Sequence, residues 1–203
     1  TFALFGVVLG VLACGYVLGL FLGRQPETYI NPAIVRSFNA RVRAWWLMYA
    51  ILIAAFILGY HTTLVLFCLV AFWALREFIT MTPTRRGDHR ALFWVFFIIT
   101  PLQFVLVGFG RDYYHVYSIV IPVYASLLVP ARIAISGDPK RFLERSAKIQ
   151  AGLLICVYAL SYAPALLNLP LCQITPNGKV AWRDNYGLLF YFLLMVQLGD
   201  VLT

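Results

Sequence analysis

Seven long apolar runs constrain this chain more than any other feature. Short connections separate them, alternately basic and nearly free of charge. The runs are Phe2 to Gly23, Trp45 to Tyr60, Leu64 to Ile79, Ala91 to Gly110, Val116 to Ile135, Ile149 to Leu169 and Tyr186 to Thr203. A helix needs roughly 20 apolar residues to cross a bilayer. Inside lipid each backbone N–H and C=O must be satisfied within the structure, so such runs read as helices. Composition agrees: 62% of residues are hydrophobic and 12% charged, where a soluble domain carries about 25% charge. The pattern predicts an all-α, polytopic transmembrane helical bundle of seven spans, forming a single transmembrane domain over residues 1–203.

The charges orient it. The connections after the first, third and fifth runs hold thirteen of the sixteen basic residues: Arg24, Arg36, Arg41 and Arg43; Arg76, Arg85, Arg86 and Arg90; Arg132, Lys140, Arg141, Arg145 and Lys148. The other side holds Arg111, Lys179 and Arg183. Basic loops stay in the cytoplasm, so the N-terminus is expected outside and the seventh run to end on the cytoplasmic side. The net charge of +8 then speaks for loops near anionic lipid rather than for nucleic acid.

Local signals refine the connections. Asn31-Pro32 reads as a helix cap followed by proline at the first helical position. Ile34, Val35, Phe38 and Val42 share one face, with Arg36 and Arg43 opposite, as in a short helix lying in the interface. Trp45-Trp46 suits an aromatic belt. His61-Thr62-Thr63 reads as a tight turn and residues 80–90 as a basic loop. Pro101 is a candidate kink. Ser136 to Lys148 reads as a loop-helix capped by Asp138 and started by Pro139, with Glu144 and Lys148 as an i,i+4 pair. Residues 170–185 read as a turn-rich loop. Cys14, Cys68, Cys156 and Cys172 have no metal or redox spacing and read as apolar fillers.

Asp200 is the chemical candidate. It follows an apolar run, and Gln197 lies three residues before it on the same helical face. An acid within a span costs about 2.5–3.5 kcal/mol on insertion scales unless it meets protein, water or a cation. A carboxylate at the cytoplasmic end of a span can serve Mg2+ and nucleotide, or can be a solvated helix end. Arg76 and Glu77 lie in the last turns of the third run, where Arg76 can reach phosphate and Glu77 needs a partner. His61, His89 and His115 share no ligand spacing. The chain lacks Walker A, HExxH, GxSxG and DHHC sequences and the paired-aspartate motif of CDP-alcohol phosphotransferases.

Five stretches, in order, carry a resemblance: Arg41-Val42-Arg43-Ala44-Trp45-Trp46, Ala74-Leu75-Arg76-Glu77-Phe78, Gly137-Asp138-Pro139-Lys140-Arg141-Phe142-Leu143, Leu160-Ser161-Tyr162-Ala163 and Val196-Gln197-Leu198-Gly199-Asp200. From about residue 38 onward the chain resembles the N-terminal membrane half of bacterial phosphatidate cytidylyltransferases (CDP-diacylglycerol synthases). The resemblance implies a nucleotidyltransferase of phospholipid biosynthesis in the bacterial inner membrane. CTP and phosphatidate would give CDP-diacylglycerol and pyrophosphate, with Mg2+ and room for a second cation. Membrane lipid, phosphatidate and CTP are the implied partners, and a homodimer is compatible with this reading. Asp200 matches a family acid as catalytic and metal-binding residue, although Gly199 stands where Asn is common. Glu77 matches an acid frequent after the third span; Arg76, Glu77 and Gln197 are the expected substrate-side residues. The family's SPxKTxEG and HGG segments are not in this sequence. It is therefore expected to be a fragment that lacks the catalytic C-terminal half and is inactive alone. A transporter or flippase with Asp200 as a cation or proton site, and a catalytically empty scaffold, are the competing readings.

Overall fold

The computed structural model describes residues 6, 9–10, 13–17, 21, 32–81, 86–135, 140–169, 172–174, 180–182 and 185–202. Among these, the long helices are α1 (Pro32–Leu58), α2 (Tyr60–Thr80), α3 (His89–Gly108), α4 (Arg111–Ala134), α5 (Phe142–Asn168) and α6 (Tyr186–Leu202). Among the described residues, five helices are long and apolar enough to cross a membrane: Asn39–Leu58 within α1, then α2, α3, α4 and α5. The apolar part of α6, Tyr186–Gln197, is shorter. Most of the first apolar run lies outside the described residues, and those described in it are helical. The helical architecture follows the sequence reading, with five candidate spans among the described residues rather than seven. The loop between α5 and α6 adds a short antiparallel ladder, β1 (Cys172–Ile174) against β2 (Val180–Trp182), with Gln173 opposite Ala181.

The chain divides into two compact units, Thr1–Leu58 with Phe190–Thr203, and Gly59–Leu189. In the first unit, α1 begins at Pro32 and runs unbroken for 27 residues. The separate interfacial helix expected before Trp45 is thus the first part of α1. No glycine or proline interrupts residues 33–58, so nothing ends the helix where its burial changes. Val42 is buried while Arg36 and Arg43 are exposed, as their spacing requires. Tyr49 meets Phe190 edge to face at 5.7 Å, and Trp45, Trp46, Leu52, Ile53, Phe56 and Leu194 pack around them.

In the second unit, α2 starts at Tyr60, so His61-Thr62-Thr63 form its first turn instead of a connection. The break is Gly59, whose φ of 102° is a left-handed conformation that only glycine adopts without strain. Helix α5 corrects a second boundary. The helix expected up to Lys148 and the span expected from Ile149 are continuous from Phe142. Arg141, at φ 52°, precedes it; the expected cap at Asp138-Pro139 lies outside the described residues. The Glu144–Lys148 pair forms at 2.7 Å.

Buried stripes at helical spacing hold this unit together. On α4 they are Tyr117, Ile121, Ala125, Val129 and Ile133; on α5, Arg145, Ile149, Leu153, Val157 and Ser161. Helix α2 packs against α3 and α5 through Leu64, Phe67, Ala71, Leu75 and Ile79. In a bilayer such contacts act through close packing, because lipid is as apolar as the side chains. Gly152 permits the closest approach: a Cβ there would stand 2.9 Å from Phe78 Cδ1 and 3.1 Å from Leu75 Cδ1. Gly152→Ala is expected to destabilise the bundle by about 1–3 kcal/mol, read as a lower Tm in detergent. An unchanged Tm would mean that the Phe78 ring swings aside freely.

Each of α3, α4 and α5 contains a π-helical stretch: Val95–Ile99, Val120–Ala125 and Leu153–Ala159. Pro101 falls just after the first of these, in the opening turn of the α-helix that follows.

Candidate functional site

The sequence candidates occupy two helix ends. Arg76 and Glu77 are exposed in the last turns of α2. The Arg76 guanidinium lies 5.6 Å from the ring centroid of Trp73, a cation–π distance that holds the charge along the helix flank. The Glu77 carbonyl accepts from Thr80 Oγ1 at 2.7 Å and from the Met81 N–H at 3.1 Å, closing the helix end. Its carboxylate makes no ion pair among the described residues. Gln197 is exposed on α6, and Asp200 lies on the last turn of that helix; the Asp200 side chain is outside the described part of the structure. The structure therefore joins Gln197 and Asp200 on one helix and Arg76 and Glu77 on another, in the other unit.

The structure adds a charged pair that sequence reasoning does not reach. Asp88, at the start of α3, meets Arg145 of α5, Oδ1 to Nη2 at 3.1 Å, with side chains only 1% and 5% exposed. Arg145 Nη1 also donates to the Lys140 carbonyl at 3.0 Å. The pair ties the start of α3 to the first turns of α5. Arg145, one of the thirteen cations expected to set topology from a loop, is a core residue instead. Two signals point to it. Asp88 is the one acid in residues 80–90. Arg145 falls in phase with Ile149, Leu153 and Val157, so a continuous helix must turn it inward. Beside the pair in sequence, His89, Arg90, Lys140 and Arg141 are exposed, and Arg141 lies 3.9 Å from the Glu144 carboxylate.

Neutral polar groups fasten the other ends of these helices. Asn168 Nδ2 donates to Tyr60 Oη at 2.7 Å, and Tyr60 Oη donates to the Val107 carbonyl at 2.9 Å. Asn185 Nδ2 donates to the carbonyls of Leu166 and Leu169. The described residues contain no group of three or more His, Cys, Asp or Glu side chains able to hold a metal. Mg2+ commonly takes one or two carboxylates, with substrate phosphates and waters completing its shell. A single protein carboxylate can thus suffice where a substrate brings the remaining ligands.

Apolar helices with large hydrophobic side chains turned outward, such as Leu69, Trp73, Phe97 and Leu127, define an integral membrane protein, since soluble proteins rarely expose so much contiguous apolar surface. The chain belongs to the cytidylyltransferase family, which it matches over residues 39–203. It is 33% identical over 162 residues to an uncharacterized protein of Escherichia coli (strain K12), YnbB, covering 79% of this chain and 49% of that relative. The chain thus spans about half the length of the curated relative it matches. No solved structure matches it. The family match includes Arg76, Glu77, Asp88, Arg145, Gln197 and Asp200, and begins within α1.

Proposed function

We propose that this chain is the membrane half of an enzyme that transfers CMP from CTP to phosphatidate, giving CDP-diacylglycerol and pyrophosphate. The observation that carries the proposal is the family match over a chain of membrane-crossing helices. CTP is water-soluble, so a cytidylyltransferase built into a bilayer makes best sense when its acceptor is a lipid. A phosphatidate oxygen attacks the α-phosphorus of CTP; the bond from that phosphorus to the bridging oxygen breaks and pyrophosphate leaves. Both reactants are anionic, so catalysis depends on neutralising charge between them. Asp200 is the residue that would hold Mg2+, which supplies such neutralisation when bound. Arg76 would meet phosphate, with Glu77 and Gln197 on the substrate side. The test is cytidine label entering lipid when membranes holding the full-length gene product receive labelled CTP and phosphatidate. Label that enters lipid only with another phosphorylated acceptor would overturn the choice of phosphatidate.

The reading includes seven crossings in a bacterial inner membrane, with the N-terminus outside and Asp200 in the cytoplasm. The charge asymmetry supports it. Single cysteines introduced within residues 82–85 or 136–139 are expected to react with an impermeant reagent from the cytoplasmic side only. Those at Asn177 or Gly178 are expected to react from outside. The reverse pattern sinks the orientation and removes Asp200 from the nucleotide.

A further inference from the structure

Helix α4 carries two internal prolines, Pro122 within its π-helical stretch and Pro130 in the α-helix beyond it. Proline has no N–H to donate, so the carbonyl four residues back loses its ordinary helical donor. Those carbonyls belong to Ser118 and Ser126; in the five-residue register of the π stretch, the carbonyl opposite Pro122 is that of Tyr117 instead of Ser118. A bare carbonyl in a membrane interior is costly, and interior prolines persist there when neighbouring groups satisfy what they free.

All three carbonyls receive a side-chain donor from an adjacent helix. Tyr158 Oη of α5 donates to the Ser118 carbonyl at 3.0 Å. Gln103 Nε2 of α3 donates to the Tyr117 carbonyl at 3.0 Å. Gln150 Nε2 of α5 donates to the Ser126 carbonyl at 2.7 Å. The donors are themselves held in place. Gln103 is fully buried and also donates to Ser161 Oγ at 3.1 Å, while Tyr158 Oη pairs with Tyr162 Oη at 2.9 Å. The Ser126 hydroxyl donates to the Ile121 carbonyl at 3.1 Å, at the end of the π stretch. Each proline thus has a non-local donor at the carbonyl it frees, Pro122 in either register, and all three bonds join α4 to one of its two neighbours.

We propose that α4 is a latched hinge. Pro122 and Pro130 are its flexure points, and Gln103, Tyr158 and Gln150 are latches that hold the helix in place by donating to the carbonyls opposite the prolines. The arm beyond the lower latch is Ser126–Ala134. Its last turn carries Arg132, and it packs on the Phe142–Gly152 part of α5, the segment that also carries Arg145. Opening the Gln150 latch frees this arm to move against α5, while the upper latches keep the Tyr117 region fixed.

The test is a double-mutant cycle with a dynamic readout, on the full chain in detergent or lipid. Gln150→Met removes the donor and keeps the volume. Pro130→Ala restores an N–H for the Ser126 carbonyl. Gln150→Met is expected to lower Tm in the wild-type background and to lower it much less in the Pro130→Ala background. Tyr158→Phe is expected to behave likewise against Pro122→Ala. Amide exchange across Ser126–Ala134 is expected to speed up about tenfold in Gln150→Met and to fall below wild type in Pro130→Ala. Equal losses in both backgrounds, or unchanged exchange in the arm, overturn the latch. If Gln150→Met alone does not accumulate as folded protein, recovery by Pro130→Ala supports the proposal and failure to recover overturns it.

Discussion

Replacing Arg145 with Met, or Asp88 with Asn, is expected to destabilise the Gly59–Leu189 unit by about 3–5 kcal/mol, the usual loss when one member of a buried ion pair is removed. The pair is 1% and 5% exposed, so neither remaining group can turn to bulk water without opening the packing between α3 and α5. The double variant Asp88→Asn with Arg145→Met is expected to recover most of the loss, because neutral groups in place of a buried pair are often close to neutral in stability. Recovery will be incomplete, since Arg145 also donates to the Lys140 carbonyl. Salt separates this pair from the exposed Glu144–Lys148 pair nearby. High ionic strength should weaken the surface pair and leave the buried one unaffected. Chemical unfolding in detergent is the measurement. Single variants within about 0.5 kcal/mol of wild type, the usual range of surface changes, would sink the role given to the pair.

The sequence reaches the helices because bilayer thickness and backbone satisfaction leave few alternatives for long apolar runs. The expected spans from Leu64, Ala91 and Val116 coincide with α2, α3 and α4 to within a few residues at most ends. Boundaries fail where local signals are weak. A polar change of composition at Trp45 and at Ile149 suggests separate helices, yet no glycine or proline stands at either place, and both helices continue. Gly59, with its left-handed φ, is a sharper break than the polar His61-Thr62-Thr63 beside it. Partnerships across the sequence are harder still. Prolines at 122 and 130 tell which carbonyls are freed, but only the fold tells that Tyr158 and Gln150 fill them. The same holds for Asp88 and Arg145, each of which reads locally as one more loop charge. The candidate site itself rests on sequence: the Arg76-Glu77 helix end and the Gln197-Asp200 turn are placed as helices, and the chemistry proposed for them rests on the resemblance of these stretches to the family.

Asp200→Asn in the full-length gene product is expected to reduce CTP-dependent labelling of lipid by at least about a hundredfold, the scale on which loss of preorganised charge stabilisation is felt. The substitution keeps the size of the side chain and much of its hydrogen bonding, but removes the charge that binds a hard cation. It falls on the last turn of α6, beyond the Tyr49–Phe190 cluster that anchors that helix, so folding should survive it. A melting curve run beside the assay checks this. Asp200→Glu keeps the charge and displaces it by one methylene, so it should retain more activity than Asn and respond more strongly to added Mg2+. Gln197→Leu, one turn away, should leave turnover measurable, because an amide adds a hydrogen bond and no charge. If Asp200 is instead a solvated helix end, all three variants will turn over like wild type, since such changes rarely move stability by more than about 0.5 kcal/mol. That result would remove Asp200 from the site. It would leave the proposed transfer to residues elsewhere in the protein, with Arg76 and Glu77 at the end of α2 as the next positions to change.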